Sequence, residues 1–157
     1  MMYSTMSHLI RPFIRIGGGP RVAPPLLSAL VQTDGSFGSS HCGNRIANVL
    51  ISSNRLSTWN QCKTVNAVSA TEAEWASVAA GLEFALEHNE TAVCIENDNQ
   101  SVVEGLLKKE RNRMEYARYY KNRIEFLTRE ANWVGVRWIP RKFNRADDLF
   151  YILTLVE

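Results

Sequence analysis

The chain has 157 residues, of which 45% are hydrophobic, 22% charged and 10% aromatic, room for one domain with a sizeable core and unlike a disordered, collagen-like or coiled-coil chain. No apolar stretch nears the ~20 residues of a membrane helix, so no membrane partner is expected. Cys42, Cys62 and Cys94 lack metal-ligand spacing, which argues against a zinc site or a disulfide framework and for a reducing interior.

The net charge of +2 divides unevenly along the chain. Residues 1–33 carry three arginines and no acid, residues 34–104 nine acids against three bases, and residues 105–157 twelve bases against seven acids. Clustered carboxylates holding cations beside a surface that meets a polyanion would produce this division, as would chance segregation of solvated charge.

Residues 1–26 contain Gly17-Gly18-Gly19-Pro20 and Pro24-Pro25 and predict an irregular basic arm ahead of a domain over 27–157. A cytoplasmic setting is expected, with an organellar one as the alternative if the arm is a transit peptide; His8-Leu9-Ile10 and Phe13-Ile14 make a poor amphipathic helix for that role. Regular patterning begins at Leu27. Strands are predicted over 27–37, 45–52 and 56–65, the first ended by Gly38-Ser39-Ser40 and the others joined by Ser53-Asn54-Arg55 as an antiparallel meander. The stretch 71–88 is Ala-rich with Trp75, Val78, Leu82 and Ala85 at helical spacing. A short strand over 91–95, a helix over 99–108, an amphipathic helix over 115–129, a strand over 134–139 stopped by Pro140 and a helix over 146–155 complete the order βββαβααβα. That order predicts an α/β fold, a five-stranded mixed sheet of three antiparallel strands followed by two reached through helical crossovers, with helices on both faces.

Four acids sit at element ends. Asp34 lies in the first strand with Gly35 clearing space beside it, Glu74 in the first turn of the first helix, Asp98 at the end of the fourth strand and Asp147 at the start of the last helix. A short right-handed crossover makes the first and fourth strands neighbours, so the acids converge. Convergent carboxylates repel unless cations are bound, and hard divalent ions with oxygen ligands, Mg²⁺ or Mn²⁺, suit them. Each acid also has a structural alternative. Thr71-x-x-Glu74 reads as a capping box, Asp98 as a helix cap, and Asp147 as a charge opposing a helix dipole. Asp34, a charge inside an apolar strand, resists such an explanation.

Asp34-Gly35-Ser36, Thr71-Glu72-Ala73-Glu74 with Ala79-Ala80-Gly81-Leu82, Asp98-Asn99-Gln100-Ser101-Val102, and Trp138-Ile139-Pro140-Arg141 leading to Asn144-Arg145-Ala146-Asp147 together resemble type 1 ribonuclease H over residues 28–155. The resemblance implies a five-stranded mixed sheet and four catalytic, metal-binding carboxylates, Asp34, Glu74, Asp98 and Asp147. It further implies hydrolysis of the RNA strand of an RNA–DNA hybrid by a two-metal scheme giving 5′-phosphate products. Two departures stand out. The loop Pro140-Arg141-Lys142-Phe143-Asn144 has no histidine where many members have one, leaving Arg141 or Lys142 as a substitute. Asp148 competes with Asp147 for the last carboxylate, and Glu96 stands two residues before Asp98, as an outer carboxylate or a surface group.

A 2′-hydroxyl is read by polar groups beside the acids, and Gln100, Asn99, Thr71 and Ser69 are the candidates, each also explicable as a cap or surface residue. Residues 108–123, with Arg111 and Arg113 among seven bases, are a candidate phosphate surface or a solvated helix face, and Arg141 joins the nucleic-acid candidates. A monomer is expected. The competing readings are another nuclease or strand-transfer enzyme on the same fold, a non-catalytic nucleic-acid-binding module, and a protein whose acids are all caps.

Overall fold

A computed structural model describes residues 11–38 and 44–156, with side chains through Ile152. Cys42, the first ten residues, and Ser39 and Ser40 of the expected turn lie outside the described residues. The elements are β1 (Ile14–Arg15), β2 (Ala29–Ser36), β3 (Arg45–Ile51), β4 (Thr58–Thr64), α1 (Ala70–Glu87), β5 (Ala92–Asn97), α2 (Gln100–Leu107), α3 (Glu115–Thr128), β6 (Trp133–Trp138), a 3₁₀ turn (Arg141–Phe143) and α4 (Ala146–Val156). They form one sheet in the order β1-β6-β5-β2-β3-β4. The strands β2, β3 and β4 are an antiparallel meander, whereas β2, β5 and β6 run parallel.

Alternation along the strands sorts residues between two faces. Val31, Leu50, Val93, Ile95, Val134 and Val136 are buried against Trp75, Val78 and Leu82 of α1 and Ile124 and Leu127 of α3. On the other face Ala47 and Val49 of β3 meet Ala146 and Leu149 of α4. Among the described residues no helix is long and apolar enough to cross a membrane.

Among the described residues the sheet has six strands rather than the expected five. The sixth comes from residues expected to form an irregular arm: Ile14 and Arg15 pair antiparallel with Val136 and Gly135 of β6, and the Ile16 amide adds a bond to the Val134 carbonyl at 2.9 Å. Two residues are too few to show a period of two in the sequence. Their role is tertiary, since β6 otherwise exposes an unpaired edge. The same segment covers the face that α4 leaves open, where Phe13 packs with Leu30 on Ala92, Cys94 and Trp133, and the Trp133 indole donates to the Val22 carbonyl at 3.1 Å.

One glycine decides how closely helix and sheet approach. Gly35 of β2 lies directly beneath the first turn of α1, and a Cβ there would stand 2.6 Å from the backbone nitrogen of Glu74, with the Ala73 carbonyl as close. Backbone cannot yield as a flexible side chain does, so any side chain at 35 lifts α1 from the sheet. Gly35→Ala is expected to cost on the order of 2 kcal/mol, lowering Tm by about 5 °C in thermal denaturation.

Candidate metal centre and nucleic-acid cleft

The parallel pairing of β2 with β5 sets the site. Gln32 lies opposite Glu96 and Thr33 opposite Asn97, so Asp34, still paired with Ala47 within β2, and Asp98, the first residue past β5, come side by side, and α1 brings Glu74 across Gly35 to join them. One carboxylate oxygen from each of Asp34, Glu74 and Asp98 lies within 4.8 Å of the other two. Asp34 and Glu74 are each 6% exposed, too little for water to screen them. They line an open cleft of about 690 Å³ with Asp147, Asn99, Arg141, Phe150 and Tyr151. Asp147 faces this cleft, whereas Asp148 is exposed outside it.

Neither Glu74 nor Asp98 serves as a helix cap. The cap of α1 is Ser69, whose hydroxyl accepts from the Glu72 amide at 3.1 Å while Glu72 Oε1 accepts from the Val68 amide at 3.0 Å. The expected capping box is therefore shifted by two residues, and Glu74 instead accepts from the Gly35 amide. Asn99 caps α2 by accepting from the Val102 amide at 3.2 Å. That leaves Asp98, whose backbone carbonyl accepts from the Trp138 indole at 2.9 Å, while its buried Oδ2 has no hydrogen-bond partner among the described residues.

Burial, and then the hydrogen bond and charge of Glu74, push the Asp34 carboxyl up to about 10. Burial pushes Glu74 up to about 7, against the pull of its bonds to Asp34 and Gly35. Asp98 is raised by burial, with the bond from Asn144 and the Arg141 charge opposing. Without cations, then, the cluster keeps protons that these groups would ordinarily have lost. An orphaned oxygen, three convergent carboxylates and an all-oxygen donor set suit a hard divalent ion, which takes the place of those protons.

The other candidates fall in different places. Ser69 and Asn99 are caps at the cleft end of their helices; Thr71 is half-buried in the first turn of α1, and Gln100 is exposed at the first turn of α2. Arg141 pairs with Asp147 at 3.5 Å from a largely exposed position, a geometry worth little on its own. Arg111 lines a separate cavity of about 550 Å³, shared with Arg15, Arg21, Lys108, Lys109 and Lys121, while Arg113 is exposed outside it. In that cavity Lys121 Nζ donates to the Gly105 and Lys108 carbonyls at the end of α2, so part of the basic cluster completes a helix terminus. Glu96 is neither an outer ligand nor a surface group. It is buried, with Oε2 accepting from Arg137 Nε at 2.8 Å and Oε1 accepting from Gln32 Nε2 at 2.9 Å. Asn144 carries no role of its own in the sequence reading, where it stands only within the stretch leading to Asp147; it is buried and donates to the Thr33 carbonyl at 2.9 Å. A polar residue three before a candidate acid was its only signal.

A family model described as reverse transcriptase-like matches residues 32–150. RNase H1 of the halophilic archaeon Halobacterium salinarum superposes with a TM-score of 0.69 at 22% identity, over 78% of this chain and 93% of that one. The amino-terminal RNase H domain of a Mycobacterium tuberculosis protein gives 0.66 at 17%, over 83% and 98%. LC11-RNase H1 in complex with an RNA/DNA hybrid gives 0.67 at 18%, over 78% and 93%. No curated protein matches the sequence. At these identities the structural likeness establishes the fold.

The raised carboxyl has a consequence for stability. Asp34 titrates near 3.9 when unfolded and near 10 when folded, so the folded state holds the extra proton between those values and stability falls as pH rises through that window. Asp34→Asn removes the penalty. In EDTA at pH 8 the variant is expected to melt several degrees above wild type, with the gap closing near pH 4. Melting curves across that range test it.

Proposed function

The chain belongs to the reverse transcriptase-like family, and from that premise we propose that it is a metal-dependent ribonuclease H, hydrolysing the RNA strand of RNA–DNA hybrids. The observation that carries the reading is the cluster of Asp34, Glu74 and Asp98 at the floor of an open cleft, with Asp98 Oδ2 buried and unpartnered. A pure binding surface for nucleic acid gains nothing from negative charge facing phosphates. A cleft that is acidic at its floor with a cationic group at its rim suits a phosphodiester brought to bound cations.

Asp34, Glu74 and Asp98 are the residues that would hold Mg²⁺ or Mn²⁺, with Asp147, in the same cleft and within hydrogen-bonding reach of Asp34, as the fourth carboxylate. Two such ions, when bound, supply Lewis-acid activation of water and stabilisation of the departing oxygen. The protein contributes position. The Gly35 amide orients Glu74, and the Trp138 indole holds the backbone of Asp98. Arg141, paired with Asp147 in the protein alone, is free to transfer its guanidinium to a phosphate at the rim. Asn99 uses its carbonyl oxygen as a cap, which leaves its NH₂ to donate to a 2′-hydroxyl, and the Ser69 hydroxyl, an acceptor for Glu72, keeps its proton to donate. Gln100 and Thr71 stand beside these two caps, so the polar groups that tell RNA from DNA border the carboxylates. Farther out, Arg111 and Arg113 meet the phosphates of a longer duplex. The hybrid-bound relative was solved with this class of substrate.

The test is cleavage of an end-labelled RNA–DNA hybrid beside single-stranded RNA, duplex RNA and duplex DNA, in Mg²⁺, Mn²⁺ and EDTA. Metal-dependent cutting confined to the RNA of the hybrid, leaving 5′-phosphate ends, is expected. Cutting of DNA would transfer the chain to the strand-transfer enzymes of this fold, and tight binding without cutting to the non-catalytic modules. Asp34→Asn and Asp98→Asn should each reduce hydrolysis to background while hybrid affinity stays within about threefold, since each removes a cation ligand rather than a phosphate contact. Replacing Arg111 and Arg113 with alanine should raise KM and lessen the slope of log affinity against log salt by about 1–2. Titration of binding at several salt concentrations measures that slope.

A further inference from the structure

Behind the cleft runs a buried polar chain that the proposed chemistry does not use. Gln32, two residues before Asp34 on β2, is 7% exposed. Its Nε2 donates to Glu96 Oε1 at 2.9 Å and to the Phe143 carbonyl at 3.1 Å, and its Oε1 accepts from the Arg145 amide at 2.9 Å. One amide side chain therefore grips both sides of Asn144, in the segment that joins the 3₁₀ turn carrying Arg141 to the first turn of α4 carrying Asp147. Asn144 assists by donating to Thr33 and accepting from the Ala146 amide at 3.1 Å. The chain continues in the other direction. Glu96 pairs with Arg137 on β6, Arg137 Nη1 donates to the Arg11 carbonyl at 3.1 Å, and its guanidinium lies 4.1 Å from the Phe13 ring centroid.

We propose that Gln32 is a positioning residue for Asp147. The inference rests on the reading of Asp147 as a cation ligand. A buried carboxylate paired with a half-buried guanidinium, beside a buried amide, is an expensive way to hold strands together, because apolar side chains of like volume serve stability at least as well. Directional bonds do what apolar packing cannot, fixing the backbone of residues 143–145 in distance and angle. Three of the four carboxylates each place an oxygen within 4.8 Å of the other two; Asp147 faces Asp34 from the start of α4, whose Ala146 and Leu149 pack on β3, and the residues just before it are held to β2 by the hydrogen bonds of Gln32 and Asn144.

The experiment uses Gln32→Met in the full chain, which keeps side-chain length and loses all three bonds. With cooperative melting retained, kcat is expected to fall about tenfold with KM within about twofold, and Mn²⁺ affinity by calorimetric titration to fall about tenfold. Amide exchange should accelerate at Arg145 and Asp147 while β2 and β5 stay protected. The deciding measurement is a double-mutant cycle on Mn²⁺ affinity. If Gln32 acts through Asp147, adding Gln32→Met to Asp147→Asn lowers affinity no further, whereas a structural role makes the two losses add. Should Gln32→Met fail to fold, Gln32→Asn, one methylene too short to span the segment, takes its place in the same cycle. Additive losses, or unchanged kcat and Mn²⁺ affinity, would overturn the proposal. A wild type that cuts no hybrid but shows the non-additive cycle supports the positioning role and removes only the hydrolytic reading; a wild type that binds no Mn²⁺ removes both.

Discussion

Mutual repulsion among Asp34, Glu74 and Asp98 is the constraint around which the rest of the structure is arranged. At an effective dielectric of 20, two unit charges 4 Å apart interact by about 4 kcal/mol. Three such pairs together rival the stability of a whole domain, which is about 5–15 kcal/mol. The carboxylates lie within 4.8 Å of one another with little exposure to water, so the protein by itself answers by retaining protons, Asp34 above all. The same arrangement lets divalent cations displace those protons. The site is strained toward its ligand, and the strain is held by the sheet.

How the sheet holds it follows from the supporting bonds. The caps of α1 and α2 are supplied by Ser69 and Asn99, which leaves Glu74 and Asp98 uncommitted to either helix. Gly35 admits the helix backbone and its amide anchors Glu74. Asn97 donates to the Thr33 carbonyl and hydroxyl at 3.1 and 2.9 Å, tying together the two strand ends from which Asp34 and Asp98 project. Every one of these groups is neutral. They add rigidity without adding to the charge the cluster already carries, and so the cost of convergence falls on the carboxylates alone.

The amino-terminal segment gives the fold a second layer of support. It closes the open edge of β6, covers Ala92, Cys94 and Trp133 with Phe13, and supplies Arg15 and Arg21 to the basic cavity that also holds Lys108, Lys109 and Arg111. Positive charge thus accumulates from two distant stretches of chain on one side of the molecule, apart from the acidic cleft. The division seen along the sequence is carried into space, with the acids at the ends of β2 and β5 and the cations around the end of α2 and the face of α3.

Much of this was legible in the residues. The meander, the helices and the parallel crossovers follow from hydrophobic period and turn residues, with ends that differ by up to two positions, because local pattern sets the type of an element more firmly than its limits. Asp34 stood out because a lone charge in an apolar strand is costly wherever it lies. The capping assignments at Thr71 and Glu74 were off by two residues, since Ser-x-x-Glu and Thr-x-x-Glu offer the same local signal and only the observed helix start separates them. Glu96 and Gln32 show the limit most clearly. Each is a polar residue two positions before a candidate acid, and alternation alone places it on the same strand face as that acid. That Glu96 turns instead to Arg137, and that Gln32 reaches residues 143–145 more than a hundred positions away, depends on the lateral order of β2, β5 and β6 and on the path of the chain after Pro140. The sequence by itself determined the element types beyond the amino-terminal arm, the family likeness and the four candidate acids, because these rest on local period and on residue chemistry. Tertiary structure alone decided which acids converge, which groups are buried and which loop is held to which strand, because burial and long-range hydrogen bonds arise only once distant segments are packed together.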